Sequence, residues 1–369
     1  MSVQPPPRAA GAANPVLSLT GPLSLGDLLD RAFRLYRARF GLLLLTAAIF
    51  NVPVAIFSGL LMWRFFGNYM RAIELLMNEP PGPDFNLFPF LFDTFGRFYG
   101  GVLLLSLLGV AAQAIVILSL TVQCIEALHG GSMTLAAGIR RGLRRFWPYV
   151  GMVIVQWAAI FAATVAVLIP FGGGLLALVI GGRLLGSNFW NTGEAPSIIS
   201  LIGIGVVFIC GYIFILIVSL VPVVYLSARW LVAPAALIAE RAGPLDSLRR
   251  SWRLSRGNAV RMVGYVIILK VLVTILLLLP AAVLQGIIAI ILPTDAFELM
   301  MSLSTTLSSL FSIISIPFTI CVAVLLYYDL RIRGEGYDPE LRIATLEEQL
   351  AQSPDPDDVT AGSDRGKDR

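Results

Sequence analysis

Leu245-Asp-Ser-Leu-Arg-Arg-Ser-Trp-Arg-Leu-Ser-Arg256 is short, basic and amphipathic, and it runs almost straight into an apolar stretch over residues 262–292. As a helix it puts Leu245, Leu248 and Trp252 on one face and Asp246, Arg249, Arg250, Arg253 and Arg256 on the other. The same pairing of basic helix and apolar stretch occurs twice earlier. Residues 24–39 place apolar side chains at 25, 28, 29, 32, 33, 36 and 40, with Leu35 off the stripe. Ser24 is the expected N-cap, with Asp27 in the first turn and Arg37 and Arg39 in the last, matching the helix dipole. Residues 134–147 place apolar side chains at 135, 139, 143, 146 and 147 against Arg140, Arg141, Arg144 and Arg145.

Composition sets the solvent. The chain is 57% hydrophobic and 14% charged, whereas soluble domains carry roughly 25% charged residues. Several apolar runs reach the ~20 residues needed to cross a ~30 Å hydrocarbon core. The expected fold class is all-α: a polytopic membrane helix bundle of about six transmembrane helices, built as three parallel repeats of an interfacial basic helix plus two spans. Aligned on Arg31, Arg141 and Arg250, the three helices also bring Arg34, Arg144 and Arg253 into register. The membrane domain is expected over 22–340, with repeat units near 24–130, 133–240 and 244–334. Residues 1–21 read as a disordered lead without the apolar core of a signal peptide. Residues 341–369 read as a mostly disordered tail, with one loose helix over 342–352.

Between the helices, residues 64–97 read as a long outer loop. Its Phe-rich end either lies on the outer membrane surface or packs on neighbouring spans. The third and fifth apolar stretches are too long for one untilted crossing and contain Pro170 and Pro280. A crossing followed by a kinked or re-entrant piece is expected, with 171–182 and 281–292 left open. Arg229-Trp230 reads as an interface anchor, and residues 231–239 as a short segment lying on the inner surface. Of the 27 basic residues, 22 fall on one side of this topology and four on the other, with Lys270 inside a span. The positive-inside rule then places both termini in the cytoplasm of a cell-membrane protein.

The chemistry is sparse. One histidine, His129, makes no triad, and the three cysteines lack metal-ligand spacing. No catalytic residue, metal site or cofactor is expected. Two sets of residues carry the functional reading. Arg31, Arg34, Arg37, Arg140, Arg141, Arg144, Arg145, Arg249, Arg250, Arg253 and Arg256 would contact anionic inner-leaflet lipid, at ~1 kcal/mol each. Asn51 and Lys270, each 20 residues beyond its reference arginine with Phe161 as the third member, would form an intramembrane polar cluster. A lysine at a helix centre costs about 2.5–3.5 kcal/mol. The bland alternative has Lys270 snorkelling and Asn51 satisfying backbone near Pro53.

The segments 23–37, 228–235, 243–254 and 326–338, the last reading Leu-Tyr-Tyr-Asp-Leu-Arg-Ile-Arg-Gly-Glu-Gly-Tyr-Asp, together resemble the membrane-domain family named after glycerophosphoryl diester phosphodiesterases, over about residues 22–340. In fused members that domain precedes a hydrolase barrel with carboxylate and histidine metal ligands. The residues after 340 contain no histidine, so the resemblance implies a stand-alone member without hydrolase activity. The expected function is non-catalytic organisation of membrane lipid or of a membrane or trans-acting protein partner. A transporter or lipid-handling channel for a small solute is the alternative, a membrane enzyme ranks third, and nucleic acid is not an expected partner. A topology reporter placed at Asn191 should appear on the side opposite both termini; a signal on the same side would overturn the six-crossing topology.

Overall fold

A computed structural model of the chain describes residues 23–78, 87–185, 198–293 and 296–335. The lead 1–21, the tail 341–369 and the 342–352 helix lie outside them. Among the described residues there is no strand. The helices are α1 (Leu25–Ala38), α2 (Phe40–Asn78), α3 (Leu87–Leu128), α4 (Leu135–Leu143), α5 (Phe146–Leu185), α6 (Ile198–Arg229), α7 (Ala233–Ala239), α8 (Pro244–Leu254), α9 (Ala259–Val273), α10 (Leu279–Ile291) and α11 (Phe297–Glu335). Six spans are long and apolar enough to cross a membrane. The protein is an all-α polytopic membrane helix bundle.

The last helix is the hub. Along residues 320–330 of α11 every side chain is buried, and α11 packs along α2 and touches α1, α3, α7, α8 and α10. The α2–α11 seam is close because Gly59 has no side chain: a Cβ there would fall 2.0 Å from Thr306 Oγ1. Ser302 Oγ then donates to the Gly59 carbonyl at 2.8 Å. Lipid tails are as apolar as leucine, so helices in a bilayer associate through close packing and polar contacts across small residues.

The same rule reverses the expected orientation of α4. Its buried residues are Gly138 and Gly142, while Leu135 and Ile139 are half-buried and Leu143 is 46% exposed; Trp147, expected on the same helix, lies at the start of α5 and is 78% exposed. A Cβ on Gly142 would lie 2.9 Å from the Ser119 backbone nitrogen of α3, so the glycine face seats on α3 and the bulky face turns out. In α8 the buried residues are Ser247, Leu248, Ser251 and Leu254, while Leu245 is exposed.

The first helix begins as expected. Ser24 Oγ accepts from the Asp27 amide, and the Asp27 carboxylate accepts in return from the Ser24 amide. The Ser24 hydroxyl, then its backbone N–H, holds the Asp27 carboxyl below its ordinary range. The Leu23 amide bonds to Asp329 and the Tyr36 hydroxyl to the Ile314 carbonyl, so α1 packs on α11 with Leu28, Ala32, Leu35 and Tyr36 buried, while Arg39 at its end donates to the Gly131 carbonyl before α4. Leu35 is therefore part of the buried face.

Other expectations are corrected. The 64–97 loop is largely helix, because α2 runs to Asn78 and α3 starts at Leu87. Its aromatic residues pack across that pair, with Phe65 and Phe98 stacked at 3.7 Å between centroids. Helix α5 passes through Pro170 to Leu185 without a break. In the fifth stretch a π turn, Thr274–Leu278, joins α9 to α10 just before Pro280. Proline lacks an N–H and its ring clashes with the carbonyl four residues back, here Leu276; the wider turn accommodates both and the helix continues instead of folding back. The residues of α7 are buried within the bundle, Ala233, Ala235, Ala236 and Leu237 at 0–2% exposure, not laid on its surface.

Gly142→Leu should lower the melting temperature of the detergent-solubilised protein by the equivalent of about 1–3 kcal/mol, since the obstructing atom is backbone. Gly100→Leu, which meets nothing within 4 Å, should leave it unchanged; equal effects would refute the close α4–α3 seat.

Candidate functional site

Two polar regions lie at the arginine-bearing end of the bundle. The first is a clasp around the end of α11. Asp329 is 1% exposed. Its Oδ1 accepts from the Leu23 amide at 2.8 Å and its Oδ2 from Arg333 Nε at 2.8 Å. Arg333 also donates to the Leu23 carbonyl. Beside it, Arg250 Nε donates to Glu240 Oε1 at 2.8 Å and its Nη2 to Glu335 Oε2 at 2.8 Å. Tyr327 Oη donates to the same Glu240 oxygen at 2.7 Å. The hydrogen bond to Glu335, helped by Glu240 and opposed by desolvation, raises the Arg250 pKa further.

Arg250 is thus an internal tie, its side chain only 18% exposed, and it leaves the lipid-facing set expected from sequence. Arg229 is also internal. It is 6% exposed and lies over the Trp252 ring at 3.9 Å. It donates to the Ser255 carbonyl at 3.4 Å, while Ser251 Oγ donates to its own carbonyl at 2.7 Å. Burial against α8 replaces the interface anchor expected there. A serine face on α8 was the readable signal, since Ser247, Ser251 and Ser255 recur every four residues.

The remaining arginines stay at the surface or half-buried. Arg34 pairs with Asp30 at 2.7 Å, Arg141 with Glu126 at 3.2 Å and Arg249 with Asp246 at 3.8 Å. Arg37, Arg140, Arg144, Arg253 and Arg256 are exposed, and no carboxylate pairs with them among the described residues. Arg31 and Arg145 are half-buried. On each short helix an exposed arginine stands three or four residues from an exposed bulky apolar side chain: Phe33 with Arg37, Leu143 with Arg140, Leu245 with Arg249.

The second region is a cavity of about 340 Å³ under this end. Helix contacts link α3 to α5, α5 to α6, α6 to α9, and α11 to α3, and the π turn after α9 rests on α11. These helices line the cavity, which is only partly enclosed, and Pro234 and Ala235 of α7 form part of its wall. Its polar lining comes from Thr121, Gln156, Ser227, Lys270 and Thr319. Sequence reasoning singled out Lys270 as an intramembrane polar residue but did not place Gln156 in the same lining.

Asn51 is not part of this lining. Its amide donates to the Ala47 carbonyl one turn back at 2.9 Å, as a polar side chain near Pro53 can do for its own helix. Phe161 is 71% exposed. Asn51 and Lys270 are thus not brought together, whereas Gln156 and Lys270 line the same cavity. Cys124 and Cys321 lie with sulfurs 3.3 Å apart, both buried and free. No group of three or more metal-ligating residues occurs among the described residues. No family model, no curated protein and no solved structure matches this chain.

Arg250→Met would strand Glu240 and Glu335. The loss should be about 2 kcal/mol, between the value of a surface pair and that of a fully buried one, read as a lower melting temperature in mild detergent. Arg253→Gln should stay within about 0.5 kcal/mol; a reversed order would show that Arg250 is not a tie.

Proposed function

We propose that the protein is a non-catalytic membrane protein that organises anionic lipid of the cytoplasmic leaflet at its arginine-bearing end, with both termini on that side. The observation that supports this most directly is the sharing of one outward face by arginine and bulky apolar side chains on α1, α4 and α8. Such a face suits the boundary between head groups and acyl chains. A helix fully in water would hide Trp147 and Leu143, and a helix fully in hydrocarbon would not carry Arg140 and Arg144. The small-residue faces of α4 and α8 supply the other half of the arrangement, since they free the large side chains from packing duty.

A second reading, transport of a small or amphipathic solute, is favoured by the cavity. Ser308, Ser312, Ser315 and Thr319 recur every three or four residues along α11 and end at it. Their hydroxyls bond back to their own helix.

The lipid reading is tested in vesicles of phosphatidylcholine with and without phosphatidylglycerol. Anionic lipid should raise the thermal stability of the wild type, by ~1 kcal/mol for each arginine engaged, and the gain should shrink at high salt. The combined variant Arg37→Gln, Arg144→Gln, Arg253→Gln should lose most of it. A wild type indifferent to phosphatidylglycerol would sink the proposal.

A further inference from the structure

Lys270 is the one lysine among the described residues, and it stands nine residues beyond Arg261 on α9. At 1.5 Å per residue that is ~14 Å further into the span. Side chains on a helix lean towards its N-terminus, so the ammonium reaches back towards the arginine end, and there it lines the cavity. No Asp or Glu lines that cavity, and no ion pair engages Lys270 among the described residues. Lys270 is thus an exposed lysine within an apolar stretch, lining the cavity with neutral hydrogen-bonding groups beside it. Charges inside membrane proteins face the bundle interior, pair with one another or mark a ligand path. Here no pairing partner lies among the described residues.

The rest of the wall defines what the partner carries. Most of it is apolar, contributed by side chains such as Met152, Leu231, Val266, Leu269 and Ile320. Small-molecule sites combine such a wall with a few placed polar groups. On α9, Val266 and Leu269 line the cavity while Ile267 and Val271 are exposed on the outer surface. By the 100° step of a helix, Lys270 lies between these two faces, so the cavity's charged edge adjoins the surface that meets lipid.

We propose that this cavity is a binding site for the acid group of an anionic amphiphile, a carboxylate or phosphate borne on an alkyl or acyl chain. Lys270 supplies the counter-charge, Gln156 supplies hydrogen bonds, and the apolar wall takes the start of the chain. The proposal goes beyond leaflet organisation by the arginines and shares with it only the membrane setting.

The test is native mass spectrometry of the full-length protein in neutral detergent, titrated with dodecyl phosphate, dodecanol or inorganic phosphate. The wild type should bind dodecyl phosphate and neither of the others appreciably. Lys270→Met should weaken binding at least about tenfold, the loss expected for a hydrogen bond to a charged group, and Lys270→Arg should retain most of it. Met152→Trp, which fills the cavity and leaves Lys270 in place, should block binding and covers the case of a poorly folding Lys270→Met. Undiminished binding by both Lys270→Met and Met152→Trp would overturn the site. Equal uptake of dodecanol would overturn the charge selection, and equal uptake of inorganic phosphate would overturn the amphiphile. The Arg37, Arg144, Arg253 combined variant should bind dodecyl phosphate as the wild type does, so the leaflet proposal and this one fail separately.

Discussion

The buried carboxylate of Asp329 is the contact on which the bundle's architecture depends. It takes the backbone N–H of Leu23, which precedes the first helix, and the guanidinium of Arg333 on the last, so the two ends of the described chain meet at one residue. A carboxylate at 1% exposure is tolerated only when its lone pairs are used, and both oxygens are. The consequence is geometric. With Leu23 fixed there, α1 packs on α11, and α2 continues along the same helix towards its N-terminus through the Gly59 seam. The last helix thereby becomes the centre around which α3, α7 and α8 also pack. An N-terminal helix that looks detachable in sequence is part of the core.

Packing of α4, and part of that of α8, is done by small faces, and that explains where their arginines go. In water, α4 would bury Leu135, Ile139 and Leu143. Here Gly138 and Gly142 meet α3, and Ser247 and Ser251 of α8 sit at 0% exposure. In hydrocarbon there is little to gain from hiding a leucine, while close backbone approach gains dispersion contacts and short hydrogen bonds. The large side chains are displaced outward beside the arginines. The division between α8's arginines follows from the same geometry: Arg250 points to Glu240 and Glu335 and becomes internal, while Arg253, three residues on, stays outside.

The membrane class, the six spans, the Ser24 cap and the three short basic helices were all legible in the sequence, because length, hydropathy and charge are local properties. What could not be read was anything set by a partner helix. Pro170 looks like a break, yet α5 runs through it, as membrane helices tolerate prolines when neighbouring groups take up the freed carbonyl. Pro280 is absorbed by a π turn that no periodicity announces. The 64–97 stretch was read as loop because its polarity is mixed, although its aromatics bind α2 to α3. At the site, residue type pointed to Lys270, but sequence spacing paired it with Asn51. Equal spacing from a reference arginine fixes distance along a helix and says nothing about the direction a side chain faces; Gln156 on α5 shares the cavity, and Asn51 satisfies its own backbone.

The short helix α7 connects these observations. It is too short to cross a membrane, only Ala233–Ala239, and it is inserted between α3, α8 and α11 at the arginine end. Its small residues are buried, and Pro234 and Ala235 form part of the wall of the cavity. The exposed arginines lie on the short helices, while Lys270, itself exposed, lines the cavity and neighbours the exposed Ile267 and Val271 on α9. The proposed ligand follows from that lining: Lys270 supplies one positive charge and most of the wall is apolar, so an acid carried on a hydrocarbon chain suits it better than a free ion.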